Sequence, residues 1–357
     1  MPKLRIGFIG TGKSPEKPSA MGFAMAYQHA RAYAELAETC EMVACADIAE
    51  ENARAFAAKF GIAGVYLDYR EMLAKEKLDL VSICTWPKLH AEMAIACAQA
   101  GCRACHCEKP MDITYGGARL MLQVADQHGM KLTFNHQRRY GKPFRKTREL
   151  IDSGEIGPVV RMEAAISDLY DGGTHWVDML NYFNNETPAE WVLGGLDCRT
   201  EKRAFGAPLE WQGIVQIKYR NGVHAILPTG DAMHSLGVPF RVHGAKGVIE
   251  IAWGPQPGPM LRYWRQGLAD WQAVDCQGEH LHGPHFIERA IADVVDCLLT
   301  GRECELSARH AMNATEICFA FYESARRRAR VDLPLDITDS PIASMIETGQ
   351  VPFAPKA

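Results

Sequence analysis

The sequence predicts an α/β protein in two parts. An N-terminal doubly wound parallel sheet is followed by a C-terminal α+β domain built on a large, mostly antiparallel open sheet. Three observations predict it. Short apolar runs alternate with helical patterns from residue 4 to residue 135. From about residue 159 onward, long runs of alternating polarity replace them. Finally, 357 residues exceed what one ordinary core organises, so two domains are expected, 1–137 and 138–357.

Composition narrows the class of partner. With 47% hydrophobic and 23% charged residues, the chain has the balance of a soluble globular protein. A formal net charge of -4 gives no reason to expect nucleic acid or an anionic membrane. The one basic run, Arg326-Arg327-Arg328-Ala329-Arg330, closes a long predicted helix, where cations favour the negative end of the dipole. No apolar run approaches the ~18 residues that span a bilayer, and Met1–Arg5 lead directly into a strand without a signal-like segment. A cytoplasmic protein is expected.

Twelve cysteines lie scattered in apolar segments and read as buried free thiols rather than a disulfide framework. Cys102, Cys105 and Cys107 surround His106, but strand alternation turns His106 away from Cys105 and Cys107. No second Cys/His pair follows at zinc-finger spacing. The run His280-Leu281-His282-Gly283-Pro284-His285 reads as a kinked loop without a matching carboxylate, so no metal site is expected.

Residues 4–9 form an apolar strand that ends in Gly10-Thr11-Gly12. Strand, Gly-x-Gly and helix in succession let a backbone approach a pyrophosphate, as in the Rossmann arrangement. A proline-bearing insertion, Lys13 to Ser19, interrupts the fingerprint before a helix near 20–38, and leaves the third small residue open between Gly22 and Ala26. The second strand, 42–46, ends in Asp47, which suits the ribose hydroxyls of NAD and would repel the 2′-phosphate of NADP. Asp47 equally suits the N-cap of the helix that runs through Ala58. Strands at 78–84, 102–106 and 131–135 then alternate with helices at 88–100 and 113–128. Ligands of such sheets bind beyond the carboxyl strand ends, where Thr85-Trp86-Pro87 and Glu108-Lys109-Pro110 fall. By itself the latter tripeptide is equally a solvated turn.

In the second half a helix at 143–152 and a turn at 154–158 lead into strands at 159–167, 190–199, 211–219, 222–229 and 240–251, with a hairpin signal at Arg220-Asn221-Gly222. Helices are expected at 173–183, 285–299 and 307–329, and an extended arm after Leu335. Six of the seven tryptophans lie between Trp176 and Trp271, suited to the sheet core, a subunit contact or a sugar face. Asp171, His175 and Asp178 recur at i, i+4 and i+7 and share one helical face. A histidine in a first helical turn is kept neutral by the dipole, which suits a base that takes a proton from an alcohol. The alternative has Asp171 as an N-cap, His175 as a buried polar group and Asp178 as its hydrogen-bond partner.

Order and spacing of these motifs resemble the Gfo/Idh/MocA oxidoreductase family. The resemblance runs through Gly10-x-Gly12, His29-Ala-Arg-Ala-Tyr33, Asp79 to Thr85-Trp-Pro-Lys-Leu-His90, Cys107-Glu-Lys-Pro110, Gln137-Arg-Arg-Tyr140, Gly154-Glu-Ile-Gly157, the Asp171 to Asp178 motif, Gly301-Arg-Glu and Leu306-Ser-Ala-Arg. It implies NAD as cofactor and a catalytic Lys109 between the nicotinamide ribose and the substrate hydroxyl, with Asp171 and His175 completing the site. The cofactor-facing set would be Gly10, Thr11, Gly12, Asp47, Thr85, Trp86, His90, Glu108 and Lys109. A cis Lys109–Pro110 bond is also implied.

The reaction implied is hydride loss from a secondary hydroxyl carbon of a sugar, glycoside or cyclitol, with His175 taking the proton and Lys109 stabilising oxyanion character. Gln137, Arg139, Tyr170 and Trp176 would contact the substrate, with Arg138, Tyr140, His234 and His282 as further candidates; domain-interface packing suits each of these residues equally. The same residues would serve a redox-neutral glycosidase or epimerase that retains NAD, while a non-catalytic NAD-binding protein would need no base. Family analogy implies a homodimer or homotetramer. Two departures stand out. The insertion after Gly12 reshapes the pyrophosphate loop, and Trp86 replaces a small or amide residue, making the nicotinamide pocket tighter. A short segment from Ser167 to Asp171 leaves room for a glycoside or oligosaccharide end.

Overall fold

The computed structural model describes residues 2–14, 24–254 and 258–354. The chain divides into two compact units, Met1–Gln137 with Ile287–Met312, and Arg138–Phe286 with Asn313–Ala357. The stretch 287–312, expected within the second domain, thus packs with the first.

In the first unit the elements run β1 (Leu4–Ile9), α1 (Met25–Glu35), β2 (Cys40–Ala46), α2 (Glu50–Phe60), β3 (Gly64–Tyr66), α3 (Tyr69–Lys75), β4 (Leu80–Ile83), α4 (His90–Gln99), β5 (Ala104–Cys107), α5 (Tyr115–Gln127) and β6 (Lys131–Phe134). Their six strands are all parallel, in the order β3-β2-β1-β4-β5-β6. The chain direction of winding reverses between β1 and β4, which opens a crevice at their carboxyl ends. Pro15 to Ser19 of the insertion, and Gly22, lie outside the described residues, whereas Ala26 is buried in α1.

One face of this sheet is sealed by aromatic edges: Phe8 meets Tyr33 and Phe56 at centroid distances of 5.8 and 5.1 Å, and Tyr27 meets Phe56 at 5.0 Å. Burying rings of this size contributes on the order of 1.5–3 kcal/mol each. A second cluster gathers Cys97, Cys102, Cys105 and Cys107 with Met121, Leu132 and Phe134, and with Ala308 and Ala311. All twelve cysteines are free thiols, and all but Cys84 are buried.

The second unit contains α6 (Lys142–Asp152), β7 (Val159–Ala164), α7 (Gly173–Phe183), β8 (Ala189–Asp197), β9 (Arg203–Ala204), β10 (Ala207–Pro208), β11 (Gln212–Tyr219), β12 (His224–Gly230), β13 (Phe240–Gly244), β14 (Gly247–Ile251), β15 (Leu261–Arg265) and β16 (Gln272–Val274). The chain continues through α8 (Phe286–Thr300), α9 (Ala308–Arg327), β17 (Val331–Asp332) and α10 (Pro341–Glu347). Nine strands form one sheet, β16-β15-β14-β13-β7-β12-β11-β8-β17, in which only the β7–β12 pair is parallel. The run expected as one strand over 240–251 is a hairpin of β13 and β14, turned at Ala245 and Lys246. The tail expected as an extended arm contains α10, which buries Ile342 and Met345.

Candidate active site

In the first unit the carboxyl ends of β1, β2, β4 and β5 carry the residues expected at a dinucleotide. Gly10 has φ 82°, and a Cβ there would lie 2.5 Å from Thr85 Cγ2 and 3.0 Å from the Cys84 carbonyl oxygen. The chain therefore crosses the end of β4 at a distance only glycine allows. Asp47 organises the loop: its Oδ2 accepts from Thr11 Oγ1 at 3.1 Å and from the Gly12 amide at 2.9 Å, and its Oδ1 from the Ala49 amide at 2.9 Å. The N-cap of α2 is Ala49, so Asp47 does not cap that helix; the ribose reading is compatible with these bonds, since a carboxylate has about four acceptor positions.

A Gly10→Ala protein is expected to bind NAD at least about tenfold more weakly, because a left-handed non-glycine costs about 1–3 kcal/mol and the clash displaces the loop. Isothermal titration with NAD checks this, and unchanged affinity would contradict the loop's assigned role.

Behind Lys109 lies a buried polar network. Glu108 Oε1 accepts from Asn135 Nδ2 at 2.7 Å and lies 3.0 Å from His29 Nε2. The other His29 nitrogen lies 3.2 Å from Ser82 Oγ, which meets Tyr33 Oη at 3.1 Å. Burial pushes the Glu108 carboxyl up, but hydrogen bonds and charge from His29, the Asn135 amide and the Lys109 charge outweigh it and hold it at about 2. His90 is fully buried, with Nδ1 2.9 Å from the Pro110 carbonyl oxygen and Nε2 3.1 Å from that of Thr85. Burial lowers its pKa. One oxygen of Glu108 and both ring nitrogens of His90 thus bond within the protein and brace the Glu108-Lys109-Pro110 turn. Lys109 itself is half-buried, and the Lys109–Pro110 bond is cis. Thr85 donates to Met93 Sδ at 3.3 Å, and half-buried Trp86 carries Lys88 Nζ 5.7 Å from its ring centre. Gln137 is half-buried in the 3-10 turn Gln137–Tyr140.

In the second unit, α7 begins one residue after Gly172, so Asp171 precedes the helix and His175 sits in its first turn, 3% exposed. Gly172, not Asp171, is the N-cap. The turn before it is held by carboxylates: Asp168 Oδ1 accepts from the amides of Asp171 at 2.7 Å and Gly172 at 3.1 Å. A Cβ on Gly173 would lie 2.5 Å from the Asp168 carbonyl oxygen, so the helix must open on glycine. Asp178 gives both oxygens to Arg139, at 2.9 and 2.7 Å. Arg139 is 1% exposed and also reaches Glu186 at 2.8 Å, so it braces this unit from within. Trp176 is equally buried, stacked on Phe240 at 5.1 Å with the Arg138 guanidinium 4.7 Å from its ring centre. It too serves packing. Tyr170 is 6% exposed. His282 turns its Nδ1 to Arg138 at 2.9 Å, and His234 lies against Trp253.

Sequence reasoning passed over Asp168 and Glu210, which belong to no motif. The available signal was an acid, Glu210, directly following Leu209 at the entry to a strand. Likewise Ser82, a polar residue inside the otherwise apolar strand β4, marked the network behind Lys109. Asp293, Cys297 and Cys304 bring ligand atoms within 4.8 Å of one another, but Arg302 pairs with Asp293 at 2.5 Å and burial pushes the Cys297 thiol up to about 11. Among the described residues, no helix is long and apolar enough to cross a membrane.

A parallel six-stranded sheet with a glycine turn after β1 and an acid after β2 defines a dinucleotide-binding protein, here joined to a domain on an open, mostly antiparallel sheet. Comparison with known proteins gives the family. Residues 4–136 match the oxidoreductase-family model for the NAD-binding Rossmann fold, and residues 163–333 match the model for the C-terminal alpha/beta domain. The chain belongs to the Gfo/Idh/MocA oxidoreductase family, and its cofactor is NAD.

It is 22% identical over 262 residues to the myo-inositol 2-dehydrogenase of Thermotoga maritima, covering 69% of this chain and 74% of that one. It is 31% identical over 156 residues to the D-glucoside 3-dehydrogenase of Escherichia coli, covering 44% and 41%. Levoglucosan dehydrogenase, solved with NADH and levoglucosan, superposes with a TM-score of 0.76 at 21% identity, over 94% of this chain and all of the other. The residues present fit the cofactor: Gly10 leaves the cradle a Cβ would fill, and Asp47 stands at the end of β2.

Proposed function

We propose that the protein oxidises a secondary hydroxyl of a sugar, glycoside or cyclitol, with Lys109, Asp171 and His175 acting on that hydroxyl. The observation that carries this reading is the placement of Lys109 at the carboxyl end of β5 in a chain of an NAD-dependent oxidoreductase family. Fixed groups hold its neighbours on both sides, with Glu108 bound to Asn135 and the Pro110 carbonyl facing His90. The names of the inositol, glucoside and levoglucosan dehydrogenases point to the same substrate class.

NAD, when bound, accepts the hydride. His175, in a first helical turn where the dipole disfavours imidazolium, takes the hydroxyl proton. Lys109 donates a charge-assisted hydrogen bond to the oxygen as negative charge develops. Asp171 orients the base and the hydroxyl. Gln137 and Tyr170 remain as substrate contacts, since Arg139 and Trp176 are taken up internally. A second copy of the chain would cover the nine-stranded sheet, where Leu193 and Ile214 are exposed.

Incubating the purified protein with NAD and a panel of cyclitols, aldoses and glycosides tests the reading. Steady NADH accumulation is the expected result. Product without net NADH would replace it with a redox-neutral glycosidase or epimerase, and neither product nor NADH across the panel would remove it.

A further inference from the structure

The turn Ser167–Gly172 is held from beneath by a second buried carboxylate. Glu210, fully buried between β10 and β11, accepts from the Leu169 amide through Oε1 at 2.7 Å and from Tyr322 Oη through Oε2 at 2.6 Å. Asp168, 4% exposed, takes the amides of Asp171 and Gly172, and Ser167 Oγ donates to its Oδ2 at 2.9 Å. Three backbone amides of one short turn, those of Leu169, Asp171 and Gly172, are therefore anchored by two neighbouring carboxylates. Hydrogen bonds to charged groups are worth about twice those between neutral groups, so this turn is fixed more tightly than a surface loop of its length would be.

We infer that Glu210, together with Asp168, is a positioning residue for the turn that carries Asp171 and opens the helix of His175, and that the charge on this carboxylate pair adjusts the site. The inference rests on the reading of Asp171 and His175 as active-site groups.

Every element around Glu210 contributes to its charge balance. The turn supplies Asp168; α9 supplies Tyr322 and Cys318, whose Sγ donates to the Leu169 carbonyl at 3.3 Å; β12 supplies Thr229; and the segment after β8 supplies Cys198. The cation of the group is Lys202, whose Nζ donates to the Ser167 carbonyl at 2.5 Å and lies 3.8 Å from Asp168 Oδ2. Burial, and next the Asp168 charge, push the Glu210 carboxyl up to about 7, against the smaller opposing effect of the Tyr322 hydrogen bond. Two like charges in one buried site cannot both ionise freely. The sign follows: with a folded pKa above the ordinary 4.5, Glu210 contributes stability that is fully present below 4.5 and is lost as pH rises through about 7. Protonation also changes the hydrogen bonds, since one carboxyl oxygen must turn from acceptor to donor and Tyr322 Oη must accept.

Two variants test this in the full-length holoenzyme. Glu210→Gln keeps the shape and holds the pair at a single charge. Its kcat is expected to stay at the wild-type acid-side value across the range, without the limb near pH 7 expected of the wild type, and KM for NAD should not move. Glu210→Ala removes the anchor of Leu169 and is expected to lower kcat about tenfold or more, with faster amide exchange confined to the peptide that contains residues 168–172, and Glu210→Gln is expected to restore slow exchange there. A Glu210→Gln profile that keeps the wild-type limb would overturn the charge effect, and unchanged exchange in Glu210→Ala would overturn the anchoring. Asp171→Asn and His175→Ala, assayed alongside, separate the two levels. If they turn over like the wild type, the reading of the site fails. If they are inactive while both Glu210 variants behave as the wild type, only this inference fails.

Discussion

Arg139→Ala is expected to lower the unfolding free energy of the second unit by about 3–5 kcal/mol, the cost of stranding one partner of a buried ion pair. Both Asp178 oxygens are bonded to Arg139, at 2.9 and 2.7 Å, in the fork geometry that makes such pairs strong. Burial works against the Arg139 charge, but Asp178 and Glu186 outweigh it and raise its pKa. Without the guanidinium, a fully buried Asp178 and a second carboxylate at Glu186 would face each other uncompensated.

The ring of Tyr182 also loses the cation 5.3 Å from its centre. Asp178→Ala alone should cost a similar amount for the mirrored reason. The Arg139→Ala/Asp178→Ala double variant should cost clearly less than the sum, because residues in direct contact are not additive. Urea unfolding followed by tryptophan fluorescence reads this, as six of the seven tryptophans lie between Trp176 and Trp271. A single-variant loss below about 1 kcal/mol would show that the strut is replaceable.

The same pair shows where reading a sequence stops. Arg139 and Trp176 looked like substrate contacts because residue type and motif position were visible, whereas burial was not. Only folding reveals that Asp178, three residues past His175, spends both oxygens on the arginine. The parallel half was legible because βα alternation is dictated locally, by period and by glycine turns. Its edge escaped: β3 has three half-buried residues and too little pattern to register. In the second half the long strands β8 and β11 were legible by alternation, but β15 and β16 at the sheet edge were not. An amphipathic helix announces that one face is buried without saying against what. That is why α8, legible as a helix, carries no sign in its sequence of the unit it packs with. Asp168 and Glu210 could not be paired from sequence at all, since 41 residues separate the amide of Leu169 from the carboxylate that holds it.

Lys109→Ala is expected to lower kcat by about 10²–10³-fold, the usual loss when one donor to a developing oxyanion is removed. NAD affinity should stay within about threefold, because the glycine turn and Asp47 lie on other strands. The fold should survive, since Lys109 is half-buried and the groups that hold its turn are its neighbours: the Glu108 amide donates to the Ile83 carbonyl at 2.9 Å, and the Asn135 amide to that of Cys107 at 2.9 Å. Lys109→Arg should not restore the rate, because a planar fork cannot replace a compact ammonium at a fixed point. A small primary amine added to Lys109→Ala should restore part of it, which a merely structural lysine would not allow. Combining Lys109→Ala with His175→Ala should cost little more than the worse single change, since groups that act on one hydroxyl act as a unit. Steady-state kinetics with the best substrate of the panel decides the matter. A Lys109→Ala enzyme within about fivefold of wild type in kcat would remove the lysine from the chemistry and, with it, the mechanism proposed for the site.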